Sequence, residues 1–169
     1  MTPIIFLPGL ICDAAVWTGQ TDLFSHQRIR NQVIDYGDAD SLGRMAEIAI
    51  TQSPERFILI GHSMGGKVAM QLAMHQPERL NKLMVVDIAP VSYAHDHDEV
   101  FSGLFSVKLD QLHSRSDADT QLKQHIDNPA IRAFLLKNLY RNQDKAFTWR
   151  MNLNALKNNY DAIAAAPEG

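Results

Sequence analysis

The chain has 169 residues, 46% hydrophobic and 21% charged, with a formal net charge of −3. That balance suits one globular domain with a sizeable core and gives no electrostatic case for nucleic acid or an anionic membrane. The single cysteine, Cys12, excludes an internal disulfide and fits a reducing, cytoplasmic setting. Neither a signal peptide nor an apolar run of the roughly 18 residues a membrane helix needs is apparent.

The first half alternates strand and helix signals. Pro3 to Leu7 is an apolar run stopped by Pro8-Gly9, which predicts a buried strand and a turn. Ala14 to Phe24 predicts a helix, and Ile29 to Tyr36 a second strand closed by Gly37. Ser41 is placed to N-cap a helix through Thr51, with Leu42, Met45, Ala46 and Ala49 on one face. Phe57 to Ile60 predicts a third strand, Met64 to Gln76 a helix stopped by Pro77, and Leu83 to Ile88 a fourth strand. Apolar strands separated by helices predict an α/β fold with a parallel sheet covered on both faces. After Pro90 no further strand is expected. Helical stretches at Val100 to Leu109, Asp117 to Ile126, Ala130 to Tyr140 and Met151 to Ala165 read as a helical cap. The expected organisation is a core over 1–90 and a cap over 91–166.

Gly61-His62-Ser63-Met64-Gly65 matches G-x-S-x-G between a predicted strand and a predicted helix. That context is what a nucleophile elbow requires, because the sharp turn lifts the Ser63 hydroxyl above the sheet edge. The helix behind it points amides and a positive dipole end at an oxyanion. The alternative, a helix-capping serine, leaves Gly65 and Gly66 unexplained inside a helix they disfavour. In such hydrolases the loop after the first strand supplies a second oxyanion donor. Here that would be the Leu10 amide, paired with the Met64 amide; a plain Pro-Gly turn is the alternative. Asp87 closes an apolar strand at the same edge. It could orient a histidine and stabilise its imidazolium, or simply cap the following loop.

With these residues in place the chain resembles the α/β-hydrolase superfamily. From Phe57 to about Pro167 it is similar to small bacterial esterases of the YbfF type. The likeness is carried by Gly61-His62-Ser63-Met64-Gly65-Gly66-Lys67, by Val86-Asp87-Ile88-Ala89-Pro90-Val91-Ser92-Tyr93 and by Phe134-Leu135-Leu136-Lys137-Asn138-Leu139. The resemblance implies Asp87 as triad acid, a helical cap, and short to medium acyl esters or thioesters as substrates. Residues 1–50 look more like another hydrolase branch. Pro8 stands where a His-Gly oxyanion motif has histidine, while Gly9 and the following residue are kept.

The family continues past the cap with two more strands and the triad histidine, which have no counterpart in these 169 residues. Leu83 to Ile88 is therefore expected to be an exposed apolar sheet edge, open to pairing in a homodimer. Among internal histidines, His62 is expected to pack under the turn, His26 and His75 lie away, and His113 and His125 belong to the cap. His95 and His97 follow Asp87 most closely and are the best internal candidates for a base or metal ligand, although no third ligand is placed by spacing. Cys12 reads as an inert buried thiol and Trp17 as core. Val100, Leu104, Phe105, Phe134, Leu135, Leu139, Trp149 and Leu153 are expected to pack together or line an acyl pocket. The chemistry needs no metal or organic cofactor. Two further readings keep the fold: a truncated, inactive binding domain, and a lyase or perhydrolase.

Overall fold

Apolar β-forming runs give the first half its sheet. The computed structural model describes residues 1–94 and 97–168. Ile4–Leu7 (β1), Asn31–Val33 (β2), Phe57–His62 (β3) and Leu80–Val86 (β4) pair in parallel, in the order β2-β1-β3-β4. Every residue of β1 is buried, as a strand covered on both faces must be. Leu7 pairs with Gly61 and His62 with Val86, so β1, β3 and β4 finish side by side at one carboxyl edge. Open parallel sheets bind their ligands at that edge.

The crossover helices are Thr18–His26 (α1), Leu42–Gln52 (α2) and Met64–His75 (α3). The Ser41 hydroxyl caps α2 by accepting from the Arg44 amide at 3.3 Å, and Leu42, Met45, Ala46 and Ala49 form its buried stripe. Ahead of α1 the chain makes a 3-10 turn over Ala14–Trp17, capped by the Asp13 side chain. Packing of α3 on the strand ends depends on absent side chains. A Cβ on Gly61 would overlap the Gly65 carbonyl, and one on Gly65 would overlap the Leu7 and Pro8 carbonyls. One sheet face buries Ile5, Leu7 and Leu59 beneath α2 and α3; the other buries Ile4, Phe6 and Ile60 against Trp17.

The second half contains Asp98–Ser106 (α4), Arg115–Leu122 (α5), Pro129–Leu135 (α6), Leu153–Asn158 (α7) and Tyr160–Ala164 (α8). It also contains an antiparallel hairpin, Leu139–Arg141 (β5) with Phe147–Trp149 (β6), which corrects the expectation of no strand there. The Asn142 side chain accepts from the Ala146 amide at 3.0 Å, and Lys145 takes a positive φ of 62° to close the turn. Arg141 lies 4.0 Å over the Phe147 ring. The single helix expected over Met151 to Ala165 is instead divided at Asn159. Of the predicted apolar faces, Leu104, Leu135, Leu139 and Leu153 are buried, whereas Phe105 and Phe134 stay exposed. One core cluster runs from Ile5 to Ile163, so both halves share it. Along β4, Leu83, Met84 and Val86 are 41%, 56% and 37% exposed, the apolar edge that the sequence predicts.

Gly65→Ala should lower the free energy of unfolding by more than about 2 kcal/mol in urea titrations. Gly43→Ala, on the exposed face of α2 with nothing near its Cβ position, should instead raise it by about 0.5 kcal/mol. Equal effects of the two substitutions would remove the argument for close packing at Gly65.

Candidate active site

Strand β3 ends at His62, and Ser63 turns the chain into α3 with φ 52° and ψ −126°. A non-glycine residue held there costs on the order of 1–3 kcal/mol, which surrounding contacts must offset. The Ser63 amide donates to Val86 O at 3.0 Å, and its carbonyl accepts from the Gly66 and Lys67 amides at 2.8 and 3.3 Å. Its side chain makes no capping hydrogen bond to α3, which disposes of the helix-cap alternative. Ser63 as a residue is half-buried at the carboxyl edge.

Asp87 follows β4 directly, with φ 58° and a side chain that is 84% exposed. Its Oδ2 stands 3.7 Å from His62 Nε2, so the structure gathers Ser63, His62 and Asp87 at one corner. The loop after β1 closes on the same corner. A Cβ on Gly9 would lie 3.2 Å from Ser63 Cβ and 3.3 Å from His62 Nδ1. The Cys12 amide donates to Gly9 O at 3.2 Å, making a turn in which Ile11 takes φ 56°. A β-branched residue in that region is a clear outlier. Among the described residues neither the Leu10 nor the Met64 amide has a hydrogen-bond acceptor. A cavity of about 380 Å³ adjoins the loop, bounded by Gly9, Ile11, Tyr36, Met45, Met64 and Asn138.

His26, His75 and His97 turn elsewhere. His26 and His75 place Nδ1 on Asp22 O and Gln71 O of their own helices, at 2.8 and 2.9 Å. His97, expected as a candidate base, places Nδ1 2.6 Å from the Tyr160 hydroxyl. His95 lies outside the described residues. Burial pushes the Cys12 thiol up to about 11, so it is chemically quiet. Trp17 is buried against Phe6, as core. Among the described residues no cluster of three or more His, Cys, Asp or Glu side chains could hold a metal ion. No described helix is long and apolar enough to cross a membrane.

The family described as PGAP1-like alpha/beta domain matches residues 27–143. A solved marine microorganism esterase superposes with a TM-score of 0.87 at 30% identity, covering 99% of this chain and 71% of that one. The chain belongs to the α/β hydrolases. Esterase YbfF of Escherichia coli is 34% identical to this hydrolase over 113 residues, which is 66% of this chain and 42% of the relative. The sn-1-specific diacylglycerol lipase ABHD11 of Danio rerio is 38% identical over 117 residues, 66% of this chain and 37% of the relative. The alignments thus span less than half the length of either curated relative.

One residue that the sequence reading passed over holds the hydrolase's site from behind. Lys67, one helical turn beyond Ser63, is only 3% exposed. Its Nζ donates to Ala164 O and Ala165 O at 2.5 and 2.6 Å and lies 4.8 Å over the Tyr93 ring. The Tyr93 amide donates to Ala164 O at 2.9 Å, and the Tyr93 hydroxyl accepts from the Ala89 amide at 2.9 Å. The lysine therefore ties α3 to the chain after α8 and to the loop that begins at Asp87. A lysine inside the apolar stripe Met64, Val68, Ala69 and Leu72 was the available signal.

Burial holds the Lys67 ammonium below its ordinary value of 10.5. Between the lowered value and 10.5 the unfolded chain binds a proton that the folded chain does not. Stability contributed here is therefore fullest above 10.5 and is lost as pH falls through the folded value. Unfolding free energy measured in urea should climb relative to Lys67→Met as pH rises toward 10.5. A difference that stays flat with pH would refute the buried ammonium.

Proposed function

We propose that this α/β hydrolase carries serine acyl-hydrolase chemistry on short to medium acyl esters or thioesters. The observation that carries the reading is Ser63, strained at the strand–helix junction beside the loop of Leu10 and the Met64 amide. Neither the Leu10 nor the Met64 N–H finds an acceptor among the described residues. In this scheme Ser63 Oγ attacks the acyl carbonyl while an imidazole takes its proton. The Leu10 and Met64 amides hold the negative oxygen of the tetrahedral intermediate. The intermediate collapses as the imidazolium returns the proton to the departing alcohol or thiol. Water then cleaves the acyl-serine ester by the same proton route. Asp87 orients and stabilises the imidazolium.

None of the contacts found for His26, His62, His75 or His97 engages Ser63. In this scheme the base is a histidine supplied by further chain or a partner, with His95, outside the described residues, as the internal alternative. The same observation favours a second reading, in which residues 1–169 alone bind an acyl ligand without turning it over. Residues 91–166 act as the cap over the acyl site in either case. The free thiol of Cys12 supports a reducing, cytoplasmic setting. The marine esterase and the curated relatives named as esterase and lipase support the reaction class.

Hydrolysis of short p-nitrophenyl esters by the purified chain should fall at least about 100-fold in Ser63→Ala. Equal turnover in the two proteins sinks the serine mechanism. Folded wild type with no measurable hydrolysis selects the binding reading. The exposed β4 edge supports a homodimer paired through that edge. Sedimentation velocity should then show dimer that Met84→Lys dissociates, and a monomer at all concentrations would remove it.

A further inference from the structure

The motif Phe134 to Leu139 is not used by the proposed chemistry, and Asn138 within it is among the most buried polar residues, at 3% exposure. Its carboxamide Nδ2 donates to Ile11 O at 2.7 Å and to Leu135 O at 3.3 Å. Its own backbone carbonyl accepts from the Arg150 amide at 3.0 Å, which fixes it at the entrance of β5. Asn138 is thus held by the second half of the chain and grips the loop of the first.

What it grips is the strained turn. Ile11, with φ 56°, occupies a position that β-turns with a left-handed third residue reserve for glycine or asparagine. Such a conformation persists only where surrounding contacts over-determine it. Three side chains donate to carbonyls of this loop. The Tyr36 hydroxyl donates to Pro8 O at 3.4 Å, the Cys12 thiol to Leu10 O at 3.4 Å, and Asn138 to Ile11 O at 2.7 Å. The first is long for a hydroxyl donor, and the second uses a thiol, a weak donor. The Asn138 bond is short and buried on both sides, and so is the strong restraint of the three.

We propose that Asn138 is a positioning residue that locks Ile11 in its left-handed conformation and thereby aims the Leu10 amide at the oxyanion. The proposal rests on the serine acyl-hydrolase reading for its catalytic consequence, but not for the grip itself. Asn138 does not act on the reacting atoms. It fixes the Ile11–Cys12 peptide and, through the turn at Ile11, the orientation of the Gly9–Leu10 peptide that carries the donor. Misaiming a preorganised donor slows turnover more than it weakens ground-state binding.

The test compares wild type, Asn138→Leu, which keeps the volume and removes the donor, and Asn138→Ala, should the first fail to fold. Amide hydrogen exchange at Leu10 to Cys12 should accelerate about 10-fold or more, while amides of β3 stay protected. On p-nitrophenyl acetate kcat should fall about 10-fold, with KM within about twofold. Asn138→Gln, which retains a carboxamide donor, should recover part of both. Unchanged exchange at Leu10 to Cys12 overturns the grip. Faster exchange with unchanged kcat, in an enzyme that Ser63→Ala abolishes, overturns the aiming role. Hydrolysis that survives Ser63→Ala overturns the serine reading instead, and the exchange measurement still decides the grip.

Discussion

The left-handed backbone of Ser63 governs what the rest of the molecule must be. A side chain carried at φ 52° can be kept there only if strand and helix meet almost in contact. They meet that way because Gly61 and Gly65 leave room for each other and for the carbonyls of Leu7 and Pro8. The same approach brings the loop after β1 against Ser63, so that Gly9 and the elbow fill one space. Parallel register then delivers Asp87 to that corner from β4. The strain, the glycines and the convergence of three strand ends are one constraint seen from three sides.

The two halves of the chain are joined by more than apolar packing. Asn138 reaches into the loop beside the nucleophile, and Lys67 reaches out from the helix behind it. Each group is a nearly buried donor satisfied by main-chain carbonyls, with no carboxylate partner found among the described residues. Such bonds are costly to leave half-made. They therefore fix one relative placement of the halves where an apolar interface alone would tolerate sliding.

Much of this was legible beforehand, and the reasons are specific. Buried β1 and β3 and the helix after Ser63 announce themselves because parallel strands are apolar throughout and glycine inside a helix demands a cause. Ser41 was readable as a cap and Trp17 as core. The β5–β6 hairpin was not, because its strands carry Arg141, Thr148 and Trp149 beside loop-like polar residues and are three residues each. Short hairpins of that kind are set by turn chemistry at Asn142 and by Arg141 over Phe147, which no periodicity reveals. Lys67 and Asn138 escaped for a different reason. Sequence alone treats lysine and asparagine as surface residues, and only the tertiary fold brings carbonyls to them. The contact of His62 with Asp87 likewise arises from strand register rather than from local spacing.

The bond between Asn138 and Ile11 joins residues 127 apart in the chain. Loop closure over such a distance comes late, after the local helices and neighbouring strands have formed. During synthesis the Ser63 turn and β1 leave the ribosome well before Asn138 does, and domains settle as their chain becomes available. The growing polypeptide therefore carries Ser63 beside a loop that has not yet been drawn into shape. Asn138 can reach Ile11 O only once the second half has been made, so the loop beside Ser63 is the last part of this corner to take its final shape.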